Sequence, residues 1–161
     1  RRLFDRDVGL VVDLTFTCKY YDGQQEFVTH GVEYLKILTP GGGVDIPARE
    51  SIDMFIRHVS DFWRRRPEAY VAIHCTHGIN RTGFFIVSFL IEHDLMDASE
   101  ALGSFAACRS PGIWDKEFLL HFYSKYSSKD LGSIIFPSPP PWSKRHKSGE
   151  DKASLVQRGR R

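Results

Sequence analysis

Apolar residues fall along this chain in blocks of two different periods. Residues 8–14 (VGLVVDL) form a nearly continuous, β-branched apolar run, the pattern of a buried strand. Asp22-Gly23 marks a turn, and residues 24–30 are expected to form a short helix that Gly31 stops. Residues 33–38 (EYLKIL) alternate polar and apolar, which predicts a second strand, and the run Pro40-Gly41-Gly42-Gly43 breaks it into a flexible loop. From Pro47 to about Arg65 the period becomes helical, with Ile52, Phe55, Ile56, Val59 and Phe62-Trp63 on one stripe. Arg64, Arg65 and Arg66 suit the negative end of that helix, and Pro67 stops it. Residues 69–74 (AYVAIH) predict a third strand. Residues 84–95 are so apolar that they predict a central, buried helix. Asp97 and Glu100 resemble a capping box opening a helix to about Ala107, which Ser110-Pro111-Gly112 ends. Asp115 caps a last helix to about Tyr126.

Strands alternating with helices predict an α/β domain with a central, mostly parallel sheet flanked by helices. From Ser133 the periodicity fails, and Pro137, Pro139, Pro140 and Pro141 precede a polar, basic run. Residues 1–132 are therefore expected to form one domain, and 133–161 a Pro-rich, basic linker or tail without fixed structure. The net charge of +2 divides unevenly, with +5 on residues 137–161 and −3 on the rest. Such a tail suits a solvated linker, with contact to nucleic acid as the alternative. The hydrophobic fraction of 42% and the absence of a long apolar run exclude a disordered or membrane-spanning chain. The chain begins at Arg1 and reads as a fragment. Three widely spaced cysteines, Cys18, Cys75 and Cys108, form neither a zinc cluster nor a disulfide framework, and point to a reducing compartment.

The informative segment is HCTHGINRTG, residues 74–83, between a buried strand and an apolar helix. Five residues between Cys75 and Arg81 allow the backbone to curl so that its N–H groups point inward. Such a concavity binds a phosphate-like anion, and the helix N-terminus adds its positive end. Gly78 supplies the backbone freedom of a tight curl. Arg81 can hold two phosphate oxygens with its planar fork. Cys75 at the floor sits in the same field, and cysteines in such places fall from a pKa of about 8.5 to roughly 3.5–7.5. A thiolate facing a phosphoryl group is a nucleophile, and the Thr82 hydroxyl is placed to donate to it.

This segment resembles the HCxxGxxR-Ser/Thr signature of the cysteine-dependent phosphatase superfamily. Its Thr-His-Gly-x-Asn-Arg-Thr-Gly variant is similar to the RNA 5′-phosphatase branch, which includes the RNA triphosphatase domain of animal and plant mRNA capping enzymes. GLVVDLT with the YYD segment, SFAACRSPGIWDKEFL and the Pro-rich PSPPPW extend the resemblance over about residues 8–142. Two features depart from it: the Gly-rich loop at 40–46, and the lack of a KxDG nucleotidyl-transfer motif. The resemblance implies a dual-specificity-like fold and removal of the γ-phosphate of 5′-triphosphate RNA through a phosphocysteine on Cys75. It implies that Arg81 and the amides of Thr76, His77, Gly78, Ile79, Asn80 and Arg81 hold the phosphoryl oxygens, with no metal and no cofactor. It further implies a nuclear protein working with a downstream guanylyltransferase domain and a transcribing RNA polymerase, away from any membrane.

Other candidates stay open. Asp45, on the Gly-rich loop, is a general acid or an exposed loop residue. Asp13 is an acid or a strand-end group holding a turn. His77 adds positive character near the polyphosphate or shapes the pocket. His74 is expected to hydrogen-bond the loop backbone, and Asn80 to bond within the loop. Arg109 reaches a second phosphate or forms a salt bridge. Trp114 and Tyr123 are core residues or base-stacking groups, and Cys18 and Cys108 are expected to be inert. The competing activities are removal of both γ- and β-phosphates, phosphoprotein hydrolysis, and a catalytically dead phosphate-binding module.

Overall fold

The structure, a computed structural model, describes residues 7–41, 45–128 and 130–143. Strand β1 (Val8–Asp13) lies between β2 (Glu33–Lys36) and β3 (Tyr70–His74) in a fully parallel sheet of order β2-β1-β3. A strand with neighbours on both edges is shielded from water, which is why the VGLVVD run is apolar almost throughout. Only Val8 of β1 is exposed, whereas β2 and β3 at the edges are mostly half-buried. In register, Asp13 stands opposite Lys36 on one side and His74 on the other. Two charged residues and a histidine thus line up at the carboxyl end of the sheet.

The connections place β2 on one side of β1 and β3 on the other. The first runs through α1 (Gly23–Glu26) and a 3-10 turn at Val28–His30 to β2. The second runs from β2 through α2 (Arg49–Arg65) across to β3. This reversal opens a crevice at the carboxyl ends of the strands, where ligands of open α/β sheets bind.

The predicted helix at 24–30 divides at Phe27, whose φ of −119° breaks the α pattern; Asp22 caps the first piece and Gly31, at φ +77°, ends the second. Helix α2 begins at Arg49 rather than Pro47, because Ala48 is still extended at ψ 144°. Its buried face is Ile52, Phe55, Val59 and Phe62. The basic triplet at its end is occupied locally: Arg65 pairs with Glu33, Arg64 with Asp61, and Arg66 lies over the Phe62 ring. Helix α3 (Asn80–Glu92) starts four residues before the apolar run and stops three before Leu95, which turns to φ +57°. Helices α4 (Ala98–Cys108) and α5 (Lys116–Tyr126) open on Asp97 and Asp115, each accepting two backbone N–H bonds.

The core gathers Leu10, Val12 and Leu14 of the first strand region with Phe55, Phe62, Phe84, Phe85 and Phe122 from the helices. Each such side chain contributes roughly 1.5–3 kcal/mol of burial. Phe84 touches Phe118 and Phe122 at centroid distances of 4.8 and 4.7 Å. The Pro-rich stretch, expected as a free linker, touches the domain in its described part. Phe136 packs against the core, and Trp142 lies over His77. Residues 144–161 lie outside the described residues.

Gly83 closes the 74–83 segment for a packing reason. A Cβ there would sit 2.5 Å from the Phe105 ring and 2.7 Å from Ile113 Cγ1. Gly83→Ala should therefore destabilise the fold by about 1–3 kcal/mol through overpacking, despite Ala's higher helix propensity. Urea unfolding at neutral pH measures this; an unchanged or raised midpoint would contradict it.

Candidate active site

The chain leaves β3 at His74, curls through residues 75–79 and enters α3 at Asn80. Gly78 takes φ +65°, a conformation that a side chain disfavours, and its N–H then points at the Cys75 sulfur at 3.3 Å. Cys75 is half-buried. Burial alone would raise its pKa. The Thr82 hydroxyl, followed by the backbone N–H groups of Thr82, His77 and Gly78, outweighs that and brings the thiol below its ordinary value. Thr82 Oγ1 is buried and completes no hydrogen bond with the described residues, and its hydroxyl lies close enough to Cys75 to lower the thiol pKa.

Arg81, in the first turn of α3, ties the three strand ends together. Its Nη1 donates to the carbonyls of Leu14 at 3.2 Å and Thr39 at 2.9 Å, just beyond β1 and β2. Its Nη2 donates to Thr76 Oγ1 at 2.8 Å within the curl. The guanidinium is therefore fixed by the sheet before any ligand arrives, with Thr76 holding its inner corner.

Beneath the curl lies a polar layer built from the strand register. Asp13 is almost completely buried, at 2% exposure. Its Oδ1 accepts from Thr15 N at 2.8 Å, while Oδ2 accepts from Tyr21, Tyr34 and Lys36 at 2.6, 3.0 and 2.9 Å. Burial alone would raise the Asp13 pKa, but these donors win and hold it far below the usual carboxylate range. The Tyr34 phenol is correspondingly pushed up to about 12, by burial first and by Asp13 second. Tyr21 also meets His74 Nε2 at 2.6 Å, and His74 Nδ1 faces the Cys75 carbonyl at 3.4 Å. The layer thus reaches the nucleophile's own backbone through His74.

A cavity of about 640 Å³ opens over Cys75, its wall running from Thr76, His77, Gly78 and Arg109 to Ile86, Leu90 and Phe105. Several predicted residues take more specific positions than the sequence assigned. Asn80 does not bond within the curl: its Oδ1 accepts from Trp114 N and Asp115 N, clamping the curl to the start of α5. The Ile79 side chain is in the core, so it offers the cradle only its backbone. Arg109 donates to backbone rather than to a carboxylate: it meets the carbonyls of Gly78 and His77, both at 3.2 Å, and braces the curl from its rim. His77 is exposed at that rim. Asp45 is exposed on the loop before α2 and does not line the cavity, while Gly42, Gly43 and Val44 lie outside the described residues. Asp13 holds a turn and a network rather than facing the cavity. Tyr21, Tyr34 and Lys36 carry no sequence signature as a group; strand register places Tyr34 and Lys36, and Tyr21 comes from the loop after β1. Among the described residues, no cluster of His, Cys, Asp or Glu is arranged to hold a metal ion, and no helix is long and apolar enough to cross a membrane.

Two outcomes follow. Alkylation of Cys75 by iodoacetamide should titrate below the ordinary thiol pKa of about 8.5, and Thr82→Val should move that midpoint upward by removing the donor. A midpoint at the ordinary value in both proteins would overturn the assigned role of Thr82. Asp13→Asn should lower stability by about 3 kcal/mol near neutral pH, because Lys36 loses its buried counter-charge. Since the folded Asp13 pKa is depressed, its contribution is fully present above the unfolded value of about 3.9 and is lost only as pH falls toward the folded value. Denaturant titrations of both proteins at pH 7, 4 and 2 should show the gap closing only in acid.

Known proteins resemble this chain in sequence and in fold. The profile described as the catalytic domain of dual specificity phosphatases matches residues 5–127. The chain is 34% identical over 147 residues to the mRNA-capping enzyme of Caenorhabditis elegans, covering 91% of this chain and 23% of that protein. It is 37% identical over 134 residues to the mRNA-capping enzyme of Mus musculus, covering 83% and 21%. The chain thus spans less than a quarter of the length of these relatives. It is also 33% identical over 130 residues to the RNA/RNP complex-1-interacting phosphatase homolog of Caenorhabditis elegans, covering 80% and 55%. Among solved structures, Tk-PTP in its active form superposes with a TM-score of 0.61 at 22% identity, covering 77% of this chain and 81% of that one. That likeness bears on the fold alone. With a thiolate-stabilising curl after the third strand and a family profile spanning most of its length, the chain belongs to the dual specificity phosphatase catalytic-domain family.

Proposed function

We propose that this domain hydrolyses the γ-phosphate of 5′-triphosphate RNA through a phosphocysteine on Cys75, the first step of mRNA capping. The observation that carries this is the Cys75–Arg81 cradle, in a chain 34% and 37% identical to two mRNA-capping enzymes over more than four-fifths of its length. In this reading the γ-phosphoryl group enters the curl, accepts from its amides and takes the Arg81 Nη2 donor now used by Thr76. The Cys75 thiolate attacks phosphorus in line, so an S–P bond forms as the bond from phosphorus to the bridging oxygen breaks. The electron pair stays on the departing RNA 5′-diphosphate. That leaving group is a weak base, so departure does not depend on an acid at the position of Asp45. Water then attacks the phosphocysteine, phosphate leaves, and the sulfur regains its negative charge under the Thr82 hydroxyl. Arg109 stands at the rim, where the β-phosphate would follow the γ.

The same reading makes residues 1–132 the phosphatase unit and 133–161 the connection onward. Its partners are 5′-triphosphate RNA, a guanylyltransferase domain and transcribing RNA polymerase, and its compartment is the nucleus. Removal of both phosphates is the second reading; the 33% identity to an RNA/RNP complex-1-interacting phosphatase homolog supports an RNA setting under either.

Triphosphate RNA labelled at the γ- or the β-phosphate separates these outcomes. In the presence of EDTA the protein should release γ-label only, and Cys75→Ser should abolish release by at least about a thousandfold, as expected for loss of a covalent nucleophile. Release of β-label would establish the second reading. No release of either label, with turnover of phosphopeptides, would overturn the RNA assignment.

A further inference from the structure

The Pro-rich segment after α5 returns to the mouth of the cradle. Phe136 anchors it, packing on the core with Lys116 Nζ 5.4 Å from its ring centre. Six residues later, Trp142 lies over His77 with ring centroids 4.9 Å apart and planes at 31°. Pro139, Pro140 and Pro141 fix much of the intervening backbone, so the indole arrives with little conformational entropy left to lose. His77 is two residues from the nucleophile, and its carbonyl is held by Arg109. Trp142 keeps 38% of its surface exposed.

We propose that Trp142, backed by His77, is the stacking site for the base of the RNA's 5′-terminal nucleotide; this rests on the triphosphatase function argued above. A triphosphate chain and a ribose separate the reacting phosphorus from that base. With the γ-phosphate on Cys75 at the floor, the base therefore lies at the rim, where the indole keeps its exposed surface. Stacking on an aromatic face is indifferent to base identity, as an enzyme acting on many transcripts requires. The site adds a contact that inorganic phosphates and phosphopeptides lack.

The test uses the 161-residue chain, its Trp142→Ala and Trp142→Phe variants, and three substrates: triphosphate RNA, the same RNA with an abasic first nucleotide, and inorganic tripolyphosphate. Loss of one base-stacking contact should raise KM for the intact RNA about tenfold in Trp142→Ala with little change in kcat. That loss should exceed the losses on abasic RNA and tripolyphosphate, and Trp142→Phe should restore most of it. Equal losses on all three substrates would overturn the proposal and make Trp142 a brace for the curl. Equal gains would overturn it in favour of a strap that occludes the cradle. If the wild-type chain hydrolyses tripolyphosphate but neither RNA, the triphosphatase assignment fails, and this site with it.

Discussion

Favouring negative charge on a half-buried sulfur is the constraint around which this molecule is built. Burial opposes the thiolate, so donors have to be delivered to it without help from bulk water. The curl satisfies that demand with backbone. Gly78 adopts a positive φ so that its N–H reaches Sγ, and α3 begins early enough to bring the Thr82 N–H and hydroxyl into range. The same donors point toward any anion placed above the sulfur. Nucleophile activation and phosphate binding are therefore one arrangement, not two.

Such an arrangement works only if the curl cannot relax. Backbone N–H groups left to themselves would rotate toward water or close into a regular turn. Three fixings prevent this, each from a different direction. Arg81 ties the curl to the ends of β1 and β2, Asn80 ties it to the backbone before α5, and Arg109 holds the carbonyls of His77 and Gly78 from outside. Below, the Asp13 layer reaches Cys75 through Tyr21 and His74. A buried carboxylate is costly on its own, but here Thr15, Tyr21, Tyr34 and Lys36 satisfy both of its oxygens. Its place between β2 and β3 fixes the register of the strand that delivers the nucleophile.

The sequence exposed those parts whose signals are local. A strand of five residues, a curl with one glycine and an apolar helix are contiguous, so HCTHGINRTG displays both the fold step and its chemistry. Caps at Asp97 and Asp115 were legible for the same reason. What escaped was set by contacts far apart in the chain. Asp13 could be placed at a strand end, but its four donors come from residues 15, 21, 34 and 36, and no spacing rule links them. Asn80 reads as a residue bonding within its own loop because nothing local shows that residues 114 and 115 pass beside it. For Arg109 the sequence suggests a phosphate or a salt bridge, yet it meets carbonyls, which leave no mark in a sequence. Helix ends drifted by several residues because the last turns are decided by capping and packing, as at Leu95.

The division of work within Arg81 explains how a cleft of this kind combines firmness with turnover. An arginine wholly free to follow substrate would lose side-chain entropy on every binding event, whereas one wholly engaged by the protein would have nothing to offer a phosphoryl group. Here Nη1 belongs to the sheet through two carbonyls, and Nη2 is held by a single hydroxyl, that of Thr76. A neutral hydroxyl is a weaker partner than a phosphoryl oxygen bearing charge, so exchange favours the substrate. When phosphate departs, the hydroxyl is still beside the guanidinium and takes the donor back. The fork stays oriented through the cycle by its fixed half, and its charge is directed by the half that is free to change partners.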